Sequence, residues 1–130
     1  EETIKTLNLG DKVIFMGRLN QRELFRYVKA ADLFVLNTSY EGFSHQIIET
    51  MALGTPIITT AVGGNLEIIR NNENGILVSP GAKDGLLEAI TSLLLDPKRA
   101  EALSKTAKND VARFTDEVML SQISEELKKQ

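Results

Sequence analysis

The chain has 130 residues, 42% hydrophobic and 25% charged, which is the balance of one soluble globular domain with an apolar core. Its net charge of −3 gives no basic face for nucleic acid, and the lack of cysteine excludes disulfides, thiolate metal sites and a thiol nucleophile. No apolar run approaches the roughly 20 residues needed to span a bilayer. We therefore expect a cytoplasmic protein that is not an integral membrane protein.

The first 30 residues predict a helix end, a strand and a second helix. The chain begins with Glu1 rather than methionine, in a pattern typical of the tail of a helix that ends at Gly10, so we expect a piece of a longer protein. The apolar run Val13–Met16, closed by Gly17, predicts a buried strand. A capping residue and helical spacing then predict a helix over about 20–30.

Three further apolar runs predict strands, namely Leu33–Leu36, Pro56–Thr59 and Gly75–Val78. Helical patterns over 44–53 and 65–70 separate them. Strands that are apolar on both faces and alternate with helices are typical of a parallel sheet covered on both sides. The predicted fold class is therefore α/β, with a Rossmann-like parallel sheet and helices on both faces.

Residues 83–130 show only helical patterns, so we assign them as the helical C-terminal region of a single domain spanning 1–130. Asp96 and Pro97 mark a boundary between two of these helices, because aspartate caps a helix and proline is accepted in its first turn. The apolar residues between Val118 and Leu127 predict a last helix, which could pack on this domain or cross to another.

The loop after the second predicted strand is the best candidate for a ligand site, since open parallel sheets bind ligands at the carboxyl ends of their strands. Gly42, Phe43, Ser44 and His45 lead directly into a helix, and the backbone N–H groups of a first helical turn can hold a diphosphate. The alternative is that Ser44 only caps the helix and Gly42 only forms the turn.

Glu49 lies five residues into the same helix, among apolar residues where an unpaired carboxylate would be costly to bury. The vicinal hydroxyls of a sugar are a natural partner, because one carboxylate can accept from both. The alternative is an exposed carboxylate on a helix surface. A second glycine turn, at Gly63 and Gly64, follows the third predicted strand and could also face a sugar or phosphate.

Metal and dinucleotide chemistry are both disfavoured by the sequence. His45 is the only histidine, no spacing of acidic residues matches a calcium loop, and no G-x-G-x-x-G motif has an acidic residue about 20 positions later. We expect chemistry that needs no metal and no cofactor, and we set aside a dehydrogenase.

Five segments, in this order and spacing, resemble the motifs of one large enzyme family, the retaining GT-B glycosyltransferases called glycosyl transferases group 1. The segments are Val13–Gly17, Ala31–Leu36, Glu41–Ser44, Glu49–Pro56 and Val62–Gly64. The resemblance covers roughly residues 1–114, and its central motif is a pair of glutamates with seven residues between them. It implies two Rossmann-like domains around a cleft, with this chain forming the C-terminal, donor-binding one.

The resemblance also implies roles for individual residues. Glu41 would be the catalytic residue near the donor sugar, and Gly42, Phe43 and Ser44 would offer backbone groups to the sugar or diphosphate. Glu49 would hold the ribose hydroxyls. Gly17 and Arg18 match the loop beside the nucleotide base, although Arg18 could equally be a solvated surface residue.

The chain departs from the family pattern in ways that leave the substrate open. Ser44 replaces a frequent glycine, and His45, Gln46 and Thr50 replace residues that are commonly small or apolar. The resemblance also implies two further strands before the first predicted one, together with an arginine and a lysine that grip the diphosphate. With a strand order of 3-2-1-4-5-6, their absence would leave a gap in the sheet, which direct pairing, a strand-swapped dimer or another polypeptide could close.

The predicted function is therefore donor binding in an enzyme that moves a sugar from a nucleotide sugar to a saccharide or lipid-linked acceptor, with retention of configuration. Without the N-terminal domain we expect weak binding and no turnover. A non-catalytic nucleotide-binding or scaffolding module is the alternative. Peripheral association with the inner face of the membrane is a family-level expectation only, because Lys128 and Lys129 are too few to argue for it.

Overall fold

The computed structural model describes residues 2–40, 42 and 44–111, and its centre is a three-stranded parallel sheet in the order β1-β2-β3. The strands are β1 (Phe34–Leu36), β2 (Ile57–Thr60) and β3 (Ile76–Val78). Leu36 pairs in register with Thr59, and Thr60 pairs with Val78. Three of the four predicted strands are thus confirmed, within one or two residues of their predicted bounds.

Six helices are formed by the described residues: α1 (Glu2–Thr6), α2 (Gln21–Ala30), α3 (His45–Leu53), α4 (Asn65–Ile68), α5 (Lys83–Leu94) and α6 (Pro97–Asp110). Their starts follow the sequence signals. The side chains of Asn20, Ser44 and Asp96 accept hydrogen bonds from the free backbone N–H groups of α2, α3 and α6. The predicted helices over 20–30 and 44–53 and the boundary at Asp96 are confirmed.

The strands bury opposite faces against two groups of helices. Ile57 packs with residues of α2, α3 and α4, whereas its neighbour Ile58 packs with residues of α5 and α6. This alternation follows from the two-residue period of a strand, which turns successive side chains to opposite faces. The predicted Rossmann-like class, with helices on both faces of a parallel sheet, is confirmed.

The predicted strand Val13–Met16 is wrong for the structure of this chain. These residues have no regular secondary structure, and Ile14 and Phe15 are 78% and 66% exposed. A strand is held by hydrogen bonds to a neighbouring strand, and none of the described strands lies beside this segment. Direct pairing with β1 is therefore not how the gap in the sheet is closed.

Smaller differences concern three helices. Helix α1 ends at Thr6, with Asn8 in the left-handed region at φ 56°, so Gly10 is not its terminating residue. Helix α4 ends at Ile68 instead of residue 70, because the backbone is already extended at Ile69. The last predicted helix, between Val118 and Leu127, lies outside the described residues. Among the described helices, none combines the length and the apolar character needed to cross a membrane.

Candidate functional site

The carboxyl ends of β1 and β2 are joined by a threonine hydroxyl. Thr60 Oγ1 donates to the carbonyl oxygen of Thr38 at 2.7 Å and accepts from the backbone N–H of the same residue at 3.3 Å. The Thr38 hydroxyl in turn donates to the carbonyl of Tyr40 at 2.7 Å. The loop that follows β1 is therefore fixed to the neighbouring strand.

A second set of hydrogen bonds fixes the glycine turn after β2. Asn65, which is fully buried, donates from Nδ2 to Thr59 Oγ1 at 3.1 Å and to the carbonyl of Thr60 at 2.9 Å. Thr59 Oγ1 donates to the carbonyl of Leu36 at 2.9 Å. The loops after β1 and β2 consequently lie side by side at one edge of the sheet, as parallel strands require.

The start of α3 is arranged as the sequence predicts. Ser44 is buried, and its Oγ accepts from the backbone N–H of Ile47 at 3.3 Å, so its side chain caps the helix. A Cβ added to Gly42 would meet nothing within 4 Å. Nothing in the described structure therefore demands glycine at this position. Glu41 and Phe43 lie outside the described residues.

Glu49 is partly buried on α3, which overturns the alternative of an exposed helix carboxylate. Burial raises the pKa of Glu49 above its usual value, while the charge of His45 one turn earlier and a hydrogen bond with the Gln21 side chain lower it. The carboxylate thus lies partly buried on an apolar helix, with the side chain of Gln21 as a neighbour that favours its charged form. It retains acceptor capacity for a further donor.

Gly17 and Arg18 lie in the segment that leads into α2. Gly17 has φ 63°, a left-handed conformation that favours glycine, and Arg18 is exposed. The chain then reaches Gln21, the first residue of α2, whose side chain contacts Glu49. The Gly17–Arg18 loop thus precedes the helix whose first residue, Gln21, is linked to Glu49, and the role of this loop in ligand binding stays a prediction.

Three residues of this edge escape prediction from the sequence. Gln21 is an ordinary residue in the first turn of a helix, and only the fold shows that it meets a carboxylate 28 positions later. Thr38 lies in a polar loop where many hydroxyls are solvated. Thr60 has a detectable signal, because two threonines end a strand that is otherwise isoleucine, and buried hydroxyls need partners.

Two cavities reach the carboxyl end of β3. One of about 150 Å³ is lined by Asn37, Ser79 and Lys83 among others, and one of about 420 Å³ runs along β3 and α5 and includes Val78 and Ser79. A third cavity, of about 410 Å³, lies at the opposite end of the strands, beside Asp32 and Pro97. Within the described residues, no cluster of three or more histidine, aspartate or glutamate side chains could hold a metal ion. The described residues form a Rossmann-like domain, and in such open parallel sheets ligands bind at the carboxyl ends of the strands.

Comparison with known proteins identifies the family. The model of the family described as "Glycosyl transferases group 1" matches residues 1–110, and the chain belongs to that family. An uncharacterized glycosyltransferase of Methanocaldococcus jannaschii is 36% identical over 111 residues, which are 85% of this chain and 28% of that protein. The resemblance predicted from the sequence motifs is confirmed at the level of the family.

Two solved structures share the fold. HepE of Anabaena, solved in complex with UDP-glucose, has a TM-score of 0.82 and 25% identity, covering 99% of this chain and 35% of that one. The C-terminal domain of a glycosyl transferase group 1 protein from Francisella tularensis has a TM-score of 0.79 and 27% identity, covering 86% of this chain and 58% of that one. The chain thus spans about a third or less of the longer relatives, which have the GT-B fold.

Proposed function

We propose that this chain is the donor-binding part of a retaining glycosyltransferase, in which it holds a nucleotide sugar against an acceptor domain. The family and the fold support the enzyme class. The C-terminal placement is supported by the likeness to a solved C-terminal domain of the same family.

The observation that carries the proposal is the setting of Glu49. Its carboxylate is half-buried on α3, and the side chain of Gln21, in the first turn of α2, is a hydrogen-bond partner that lowers its pKa. An ionised carboxylate in this position accepts hydrogen bonds from two vicinal hydroxyls, which a ribose supplies. The loop at Gly17 and Arg18, which precedes α2, would then face the base.

The diphosphate would lie at the start of α3. A helix of nine residues presents free N–H groups and a partial positive charge at its first turn, and the open space around Gly42 lets a ligand approach the backbone. Gly42, Phe43 and Ser44 would supply backbone groups, and Glu41 would lie near the transferred sugar. The chemistry would need no metal ion, since the helix and basic residues elsewhere stabilise the departing diphosphate.

In the proposed reaction, the bond between the anomeric carbon and the diphosphate oxygen breaks, and a bond from that carbon to the acceptor oxygen forms on the same face. The proton of the acceptor hydroxyl passes to the departing diphosphate. The transition state resembles an oxocarbenium ion, so fixed dipoles supply most of the stabilisation. The acceptor domain and the basic diphosphate clamp are absent from this chain. The chain alone would therefore bind a donor weakly and transfer nothing.

A non-catalytic scaffolding module is the second candidate. Ile14 and Phe15 are apolar and exposed, and β1 pairs only with β2 among the described strands; both features favour contact with another polypeptide. The same surface would be covered by the rest of the enzyme in the first proposal. Association of the enzyme with the inner face of the membrane, a location in the cytoplasm and a strand-swapped dimer of the chain remain predictions.

The experiment that separates these functions compares this chain with the full-length enzyme proposed here. Each is incubated with UDP-glucose and with GDP-mannose in the presence of simple glycoside acceptors, and the product is analysed by NMR. We expect turnover only by the full-length enzyme, with an α-linked product from the α-linked donor. A β-linked product, or equal turnover by this chain alone, would contradict the proposal.

A further inference from the structure

The loop that leads to Glu41 is hydrogen-bonded to β2 through one side chain, that of Thr60. Its hydroxyl bonds to both the backbone nitrogen and the carbonyl oxygen of Thr38. Thr60 Oγ1 donates to Thr38 O at 2.7 Å and accepts from Thr38 N at 3.3 Å. A hydroxyl that both donates to and accepts from one residue fixes the orientation of that residue as well as its position. Thr38 therefore leaves β1 in one direction.

The constraint continues along the loop. The Thr38 hydroxyl donates to the Tyr40 carbonyl at 2.7 Å, and it also lies 3.4 Å from the Tyr40 backbone nitrogen, which donates to it. Tyr40 is the residue directly before Glu41 in the chain. The orientation set at Thr38 is thus carried to the peptide that precedes the proposed catalytic residue.

Thr60, at which this chain of hydrogen bonds starts, is buried in the sheet. Thr60 is 1% exposed and lies in β2, the central strand of the sheet, between β1 and β3. Its own carbonyl accepts from Asn65 Nδ2 at 2.9 Å, so the residue is held on the side of the glycine turn as well. Buried polar groups with satisfied partners specify one local arrangement, because breaking them leaves a donor or acceptor without water.

We propose that Thr60 and Thr38 are positioning residues, which act through the backbone as far as Tyr40 to orient the loop that enters the donor site. This inference rests on the proposed function, and it assigns to the Thr60 hydroxyl a role that the family motif leaves unassigned. A displacement of about 1 Å in a reacting group can lower a rate by about 100-fold. The hydrogen bonds between Thr60 and Thr38 therefore affect the rate of the chemical step more than the affinity for the nucleotide.

The test replaces Thr60 by valine, which keeps the shape of the side chain and removes the hydroxyl. Thr60→Ser keeps the hydroxyl and serves as the rescuing variant. Thr55→Val is the matched control: Thr55 is 2% exposed, and its hydroxyl also donates to a backbone carbonyl, Val28 O, at 2.7 Å. It precedes β2 and thus lies at the opposite end of that strand from Thr60.

The functional readout is made on the full-length enzyme with UDP-glucose or GDP-mannose, whichever the wild type uses. In Thr60→Val we expect kcat to fall about 10-fold or more, with the donor KM changed less than about 3-fold. Thr60→Ser and Thr55→Val should keep kcat within about 2-fold of the wild type. Equal kcat in Thr60→Val and the wild type would overturn the positioning role.

A measurement on this chain without donor tests the Thr60–Thr38 hydrogen bonds independently of the proposed function. Amide hydrogen exchange at Thr38 should be about 10-fold faster in Thr60→Val than in Thr55→Val, because the acceptor of that N–H is removed. Faster exchange with unchanged kcat would overturn the inference and leave the proposed function intact. Lack of any turnover or nucleotide binding by the full-length wild type would instead contradict the proposed function. The positioning role of Thr60 and Thr38 would then be contradicted as well.

Discussion

Glu49 is a residue whose position costs stability, which is the usual mark of a side chain placed for binding. Burial raises its pKa, and an acid with a raised pKa in the folded protein binds more protons there than in the unfolded chain. Stability therefore falls as the pH rises from the ordinary value of 4.5 through the raised pKa. At neutral pH the folded protein carries this penalty in full.

Replacing Glu49 with glutamine should remove the penalty. Glu49→Gln keeps a carbonyl that accepts from Gln21 and cannot ionise, so its free energy of unfolding should exceed that of the wild type at pH 7. The difference should shrink as the pH is lowered below 4.5, where the wild-type carboxyl is protonated. Urea denaturation at several pH values measures both effects.

The control for that measurement is Glu88→Gln, a change at an exposed glutamate of α5. It should leave the free energy of unfolding close to the wild-type value across the same pH range. A Glu49→Gln variant that is less stable than the wild type at pH 7 would show that the carboxylate is a structural residue.

At this scale the sequence predicts the setting of a residue better than its partners. The apolar spacing around Glu49 is visible in the sequence, because a helix repeats every 3.6 residues. Its contact with Gln21 joins two helices, and the Thr60 hydroxyl reaches a loop from a neighbouring strand. Such contacts depend on how elements pack, which a local pattern does not contain.

Helix α3 combines a structural glycine at its end with a glycine before its start that the described fold does not require. Gly54 is the C-cap, with φ 83°, and a left-handed alanine there costs about 1 kcal/mol. Gly42 has open space around it. The two positions therefore separate stability from binding.

We expect Gly54→Ala to lower the free energy of unfolding by about 1 kcal/mol and to leave nucleotide affinity unchanged. Gly42→Ala should change stability by less than about 0.5 kcal/mol but weaken the binding of UDP or GDP, because the added methyl group obstructs the ligand's approach to the backbone. Urea denaturation and calorimetry on both variants test this. Weak binding by Gly54→Ala alone would reverse the assignment.

The elements differ in how well the sequence predicts them. Helices α2, α3 and α6 carry capping residues, which act locally, and their bounds are predicted closely. Strands β1, β2 and β3 are predicted because they are apolar and have partners in this chain. Residues 13–16 have the same apolar composition but no described neighbouring strand, so composition predicts a strand that the structure does not form.

At the scale of the whole molecule, one edge of the sheet carries the proposed site while an apolar stretch remains uncovered. The carboxyl edge has its loops fixed by Thr60 and Asn65, whereas Ile14 and Phe15 are exposed. The resemblance implies that two further strands of the family would lie in the sheet between residues 13–16 and β1. The proposed full-length enzyme would cover this stretch and supply the basic diphosphate clamp.

Calorimetric titration of UDP and GDP into the full-length enzyme, with wild type and Glu49→Gln compared, tests the central claim most directly. The account predicts that one nucleotide binds the wild type and that Glu49→Gln weakens it by about 10-fold or more, since two hydrogen bonds to a charged group are weakened. Binding should also weaken as the pH falls through the raised pKa of Glu49. Equal affinity in the two proteins would contradict the assignment of Glu49 to the ribose and, with it, the site proposed here.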